Sequence, residues 1–134
     1  MPSRKIDDLH PDLRPLCIVF IEKAGKLGVD ALITCTYRSN AEQDELYAQG
    51  RDKPGNIVTR ARGGQSAHNH TLDGKPASLA FDVVPMVNGK PMWSAAHPSW
   101  QILGEIGISL GLEWYGAPNA KFREFPHFQL KRNA

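Results

Sequence analysis

The sequence predicts an α+β fold: a small, mostly antiparallel sheet with helices packed against it. Three observations predict it. Two segments, one starting near Leu13 and one near Trp100, repeat apolar residues at helical spacing. Between and after them lie short apolar runs of strand character, "ALITCTYR", "LAFDVVPMV", "LEWY" and "PHFQL". One of these is followed by Asn88-Gly89, the turn that folds a strand back on itself. A chain of 134 residues suits one domain, taken here as residues 1–134.

Taken in order, the first helix carries Leu13, Leu16, Cys17, Phe20, Ile21, Ala24 and Leu27 on one face. Pro11 suits its first turn and Gly28 its end. "ALITCTYR" is rich in β-branched residues and reads as a strand. In "SNAE", Ser39 and Glu42 have capping-box spacing for a short helix with Leu46 and Tyr47 on its apolar face, closed by Gly50. "GRDKPGNIVTRARGGQ" reads as a long loop rich in Gly and Arg, a length that in a compact domain goes with function or disorder. "LAFDVVPMV" is a strand, and Asn88-Gly89 returns the chain through "KPMW". "HPSWQILGEIGISLGL" is a helix with Trp100, Leu103, Ile106, Gly107 and Leu110 on one face and Gly111 at its end. Two short strands, "LEWY" and "PHFQL", finish the chain.

Composition excludes several classes. A hydrophobic fraction of 41% and a charged fraction of 22% are ordinary for a globular protein. A net charge of +2 is too weak to argue for nucleic acid, and it would not repel an anionic polymer such as a cell wall. No apolar run approaches the roughly 20 residues that span a bilayer. The N-terminus "MPSRKIDDLHPDL" has no apolar signal core, so synthesis in the cytoplasm without a signal peptide is expected. Cys17 and Cys35 each sit in an apolar run and read as buried, reduced thiols.

The chemistry lies in three pieces. "GGQSAHNH" holds His68 and His70, "LAFDVV" holds Asp82, and "EFPHFQL" holds Glu124 three residues before His127. A carboxylate inside an apolar strand is costly to bury without a partner or a metal, whereas alternation also allows Asp82 to face solvent. Glu124 and His127 would face opposite ways in an extended segment, but Pro126 between them can bend the chain. If His68, Asp82 and His127 converge, two imidazoles and a carboxylate with an open fourth position make a catalytic zinc arrangement. A carboxylate that is not a ligand, Glu124, could then move the proton in amide hydrolysis. His10, beside a Pro, and His97, at a helix start, read as structural.

As a set, "TYRSNAEQDELYAQGRDKPGNIVTRARGGQSAHN", "LAFDV", "GLEW" and "PHFQ" resemble the D-alanyl-D-alanine carboxypeptidase / L-alanyl-D-glutamate endopeptidase family of zinc peptidases (VanY-like). The likeness is greatest to its single-domain phage endolysins and cell-wall hydrolases. The resemblance runs from about Ile33 to Leu130. It implies a Hedgehog/DD-peptidase-like fold with Zn2+ in a cleft on the sheet, held by His68, Asp82 and His127. It makes Glu124 the general base and Arg38, in "YRS", the group that contacts substrate and steadies the tetrahedral intermediate. Ser66 and Gln43 match polar positions lining the substrate groove. The implied partner is peptidoglycan, with no nucleic acid and no stable membrane association. The implied enzyme is a monomer that reaches the wall by holin-type release. Cleavage of the L-alanyl-D-glutamate bond is the expected activity, since "GRDKPGNIVTRARGGQSAHN" is more like that branch. D-alanyl-D-alanine carboxypeptidase action, or a zinc-stabilised binding module without catalysis, are the alternatives.

Two departures stand out. The family pattern S-x-H-N-x-G-x-A-x-D is stretched here by a segment close to "HTLDGKP", read as a surface hairpin or flap at the cleft edge. That segment makes His70 a rival to His68. Ser66 and Asn69 frame His68 as in the family, which leaves His70 as a cleft-rim residue touching substrate. After "GLEW" the run "YGAPNAKFREF" replaces the family's glycines and tryptophan, leaving substrate preference open. Trp114 and Tyr115 there read as core packing.

Overall fold

A computed structural model describes residues 1–118 and 123–131. Residues 119–122 of the "YGAPNAKFREF" run and the last three residues of the domain lie outside the described residues. The architecture is the expected one. Helices α1 (Arg14–Lys26), α2 (Asn40–Ala48) and α3 (Pro98–Ser109) accompany an antiparallel sheet of strand order β1-β4-β7-β6. These strands are β1 (Asp30–Cys35), β4 (Ala80–Val87), β7 (His127–Leu130) and β6 (Leu112–Trp114), and β5 (Lys90–Pro91) pairs with the far end of β4. The remaining two, β2 (Thr71–Leu72) and β3 (Lys75–Pro76), form a separate hairpin.

Three features of the first fifty residues differ from the sequence reading. Helix α1 begins at Arg14, with Pro15 rather than Pro11 in its first turn. A preceding turn, in which the His10 carbonyl accepts from Leu13 and Arg14, occupies the chain up to that point. Strand β1 stops at Cys35, because Thr36 N–H donates to the Ser3 carbonyl and Arg38 N–H to the His68 carbonyl instead of to β4. Helix α2 does not bury Leu46 and Tyr47 fully; its one buried side chain is Gln43. Its capping box is present as expected, Ser39 Oγ accepting from Glu42 N–H at 3.1 Å and Glu42 Oε1 from Ser39 N–H at 2.8 Å. The Asn88-Gly89 turn also forms, with φ of 52° and 76°.

Register assigns the two faces of the sheet. Phe81 of β4 lies opposite Phe128 of β7, and Phe128 opposite Trp114 of β6. These rings stack at centroid spacings of 5.8 and 6.2 Å, and Phe20 of α1 meets Phe81 and Phe128 edge-on. That row, with Leu103 and Ile106 of α3, Cys17 of α1 and Leu13 just before it, is the core. One residue further along, side chains point the other way. Cys35, Asp82 and His127 therefore form a second row across β1, β4 and β7 on the opposite face.

Helix α3 approaches the aromatic row at two glycines. A Cβ on Gly107 would sit 2.5 Å from the Phe128 ring, and one on Gly104 2.3 Å from the Trp114 ring. Neither ring can retreat, because each is stacked in the row. Gly107→Ala is therefore expected to destabilise by about 1–3 kcal/mol through overpacking, although alanine is the better helix former. Denaturant unfolding of the purified variant checks this; equal or higher stability would contradict the packing described.

Candidate active site

The motif "SAHN" is a local folding unit. It forms a 3-10 turn, Ala67–Asn69, in which Ser66 Oγ accepts from His68 N–H at 3.2 Å and Asn69 Oδ1 accepts from Ser66 and Gly64 N–H at 3.1 Å. Asn69 Nδ2 donates to the Arg38 carbonyl at 2.8 Å, joining this turn to the end of β1. The turn thereby places His68, 2% exposed, over the Cys35–Asp82–His127 row.

Three donor atoms meet there. His68 Nε2 and His127 Nδ1 both lie 3.1 Å from Asp82 Oδ1. The other nitrogen of each ring is engaged: His68 Nδ1 with the Thr36 carbonyl at 2.8 Å, and His127 Nε2 with Gln129 Oε1 at 2.8 Å. A carbonyl oxygen only accepts, so each engaged nitrogen carries the ring's N–H. In the neutral rings, His68 Nε2 and His127 Nδ1 are then lone pairs aimed at a carboxylate. Such a cluster needs positive charge, from protons or from a cation, and ring nitrogens oriented by hydrogen bonds on their far side are what metal sites use.

Charge responds in that direction. Burial would push the His68 imidazole down, but the Asp82 charge and hydrogen bond, with Cys35 adding to them, hold it up at about 10. Burial would push the Asp82 carboxyl up, but the His68 charge and the hydrogen bonds of both rings hold it well below the usual carboxylate range. Among the described residues, Cys35, His68 and Asp82 offer ligand atoms all within 4.8 Å of one another. The donor set therefore fits a divalent cation.

Around these groups lies a cleft of about 610 Å³, lined among others by Arg38, Ser66, His68, Asp82, Tyr115, Glu124 and His127. The expected bend at Pro126 is present: His127 N–H donates to the Glu124 carbonyl at 3.2 Å, and Glu124 Oε2 comes to 3.8 Å from His127 Nδ1. Burial pushes the Glu124 carboxyl up; His127 opposes this and Asp82 adds to it. Arg38 Nη2 lies 3.9 Å from Asp82 Oδ2 and 3.5 Å from Cys35 Sγ, and its Nη1 donates to Gln43 Oε1 at 2.9 Å.

Two of the residues assigned to the substrate groove from sequence are elsewhere. Gln43 does not line the cleft. It is fully buried behind it, and its Nε2 donates to the Ala61 carbonyl at 2.8 Å and Thr59 Oγ1 at 3.3 Å. One amide thus ties Arg38 to the cleft-lining loop 58–61. His70 is also absent from the cleft. Its Nδ1 meets the Ala77 carbonyl at 3.0 Å and its ring lies 5.8 Å from that of His10, at the base of the exposed β2–β3 hairpin that the inserted segment forms. The hairpin forms as expected, turning at Asp73-Gly74 with φ of 52° and 74°. Trp114 is in the core, as read, but Tyr115 lines the cleft, its ring 4.4 Å from that of His127. Sequence reasoning also missed Cys35 and Gln129. Gln129 was within reach of strand alternation, being two residues past His127 on the same face.

No family model matches the chain. Peptidoglycan L-alanyl-D-glutamate endopeptidase CwlK of Bacillus subtilis (strain 168) is 39% identical over 134 residues, covering 94% of this chain and 75% of its own. Among solved structures, the L-Ala D-Glu endopeptidase ChiX of Serratia marcescens superposes with a TM-score of 0.59 at 23% identity, over 98% of this chain and 89% of its own. The LdcB LD-carboxypeptidase superposes with a TM-score of 0.61 at 19% identity, over 91% of this chain and 65% of its own. At those identities the two structures establish the fold.

Gln43 generates a test of the arrangement. Gln43→Met keeps the volume but removes the bonds to Arg38 and to the loop. Leaving those buried partners unpaired should cost roughly 2–4 kcal/mol. Amide exchange at residues 59–61 should accelerate more than in the core strand β4. Unchanged exchange there would mean that Gln43 does not hold the loop.

Proposed function

The chain belongs to the family of peptidoglycan L-alanyl-D-glutamate endopeptidases, and from that membership we propose that it hydrolyses the L-alanyl-D-glutamate amide bond of peptidoglycan stem peptides, with zinc held by His68, Asp82 and His127. The observation that carries the metal reading is the pair of imidazole lone pairs directed at one carboxylate oxygen, each fixed by a bond on the far side of its ring. When bound, zinc supplies Lewis-acid polarisation of the scissile carbonyl and lowers the pKa of water.

The protein's own groups do the rest. Glu124, at the cleft beside His127, takes a proton from the attacking water and gives it to the departing amine of D-glutamate. Burial pushes its carboxyl up, which helps it hold that proton between the two transfers. The new C–O bond leaves L-alanine with a carboxylate, and the broken C–N bond leaves D-glutamate with a free amine. Arg38 faces the negative charge that develops on the carbonyl oxygen, and Gln43 keeps its guanidinium in place. Ser66 orders the His68 turn and forms part of the cleft wall.

The site of action in this reading is the cell wall, and lysis of bacteria in the manner of a phage endolysin is its finer form. No helix among the described residues is long and apolar enough to cross a membrane. This reading takes the protein as a monomer without nucleic acid: net charge is only +2, and the groups assigned roles in the cleft all lie on this chain.

Digestion of purified peptidoglycan, with fragments read by mass spectrometry, is the first test. Stem peptides beginning at D-glutamate should appear, vanish with a chelator and return with zinc. Release of single D-alanine instead would replace the endopeptidase with a carboxypeptidase. Glu124→Gln should abolish release while keeping zinc. Arg38→Met should lower kcat by about 10²–10³-fold, the usual loss on removing one oxyanion donor. A Glu124→Gln variant with wild-type activity would remove Glu124 from the mechanism.

A further inference from the structure

Asp82 has a potential ligand on each side of it in the sheet. On one side, β7 supplies His127; on the other, β1 supplies Cys35, directly opposite Asp82 in the register. All three side chains are on the face that carries the cleft. The Cys35 sulfur comes to 3.7 Å from the Nδ1 edge of the His68 ring, whose N–H already donates to the Thr36 carbonyl, and one ligand atom from each of Cys35, His68 and Asp82 lies within 4.8 Å of the other two. His68 and Asp82 are therefore shared by two sets of three, one completed by an imidazole and the other by a sulfur.

Cys35 is only 5% exposed, but it is among the residues lining a second cavity, of about 720 Å³, together with Arg38, Asp82 and, from α2, Glu42 and Glu45. His127 is not part of that lining. Cys17, by contrast, is fully buried between α1 and the sheet, and burial pushes its thiol up to about 12.

The two sets differ in chemistry. Imidazole and carboxylate suit zinc, whereas thiolate selects soft cations. Binding at sulfur releases the thiol proton to solvent as the metal–sulfur bond forms. The resulting thiolate adds a negative charge that a second imidazole does not, which offsets the nearby Arg38 guanidinium.

We propose that Cys35, His68 and Asp82 form a second, overlapping ligand set that captures a soft divalent cation such as cadmium, and that this capture excludes hydrolysis because both draw on His68 and Asp82. The inference rests on the metal site of the proposed function, but not on the bond that is cut.

The test is titration of the reduced, metal-free protein with cadmium chloride, read by sulfur-to-cadmium charge-transfer absorption in the ultraviolet. The wild type, Cys17→Ala and His127→Ala should each develop the band to one equivalent, and Cys35→Ser should lose it while still binding zinc. X-ray absorption at the cadmium edge of the wild type needs no variant, and it should find one sulfur in contact with the ion. A band that survives in Cys35→Ser, or cadmium bound with only nitrogen and oxygen neighbours, overturns the proposal. Peptidoglycan digestion by a zinc-loaded, cadmium-free portion of the same protein, before and after cadmium is added, separates the two readings. A cadmium–sulfur signal from a protein whose zinc-loaded form does not hydrolyse supports this inference and sinks the proposed function. Hydrolysis that cadmium leaves untouched sinks the inference alone.

Discussion

The register of β4 against its two neighbours is the constraint on which everything else rests. Side chains alternate across a strand, so pairing Phe81 with Phe128 for the core sets Asp82 beside Cys35 and His127 for the cleft. A slip by one residue would send the aromatic row to solvent and the polar row into the core, at a cost of many kcal/mol. The stacked rings of Phe81, Phe128 and Trp114, clamped by Phe20 and by two glycines of α3, are thus what aligns the reactive groups. Site and core are two readouts of one alignment.

Orientation is a separate matter from position, and it is set by bonds on the far side of each functional group. The Thr36 carbonyl and the Gln129 amide decide which nitrogen of each ring looks at Asp82. Gln43 does the same for Arg38 and extends the control to loop 58–61. The loop is further held where Arg51 and Arg62 stack on Tyr47, and where Gly63 N–H donates to Asp44 Oδ1. Arg51 and Arg62 therefore act as fasteners between the loop and α2.

Much of this was legible in the sequence. Helical periodicity, the Ser39 capping box, the Asn88-Gly89 turn and the hairpin nature of the inserted segment all follow from local rules, and all are present. The convergence of His68, Asp82, Glu124 and His127 was expected from the resemblance, and the structure brings the four together. The residues that were misjudged are those whose role depends on what lies across the sheet or behind a helix. Cys35 looked like an ordinary apolar-run cysteine, because only the β1–β4 pairing reveals its neighbour. Gln43 looked like a groove residue, because a glutamine on a short polar helix gives no sign of complete burial. His70 looked like a rival to His68, because two residues of separation hides a reversal of chain direction at the hairpin's base.

That hairpin bears on how such a sequence can change over time. Its ends are joined by one backbone bond, Ala77 N–H to the His70 carbonyl at 3.0 Å, and everything between them is exposed. Since the base is fixed, the number of residues beyond it has no bearing on the distance between His68 and Asp82. Lengthening or trimming the segment should therefore cost little, and spacing along the chain there says nothing of how far apart His68 and Asp82 sit. The same freedom makes it a natural place to graft a foreign peptide, such as a wall-targeting tag, without disturbing the reactive groups.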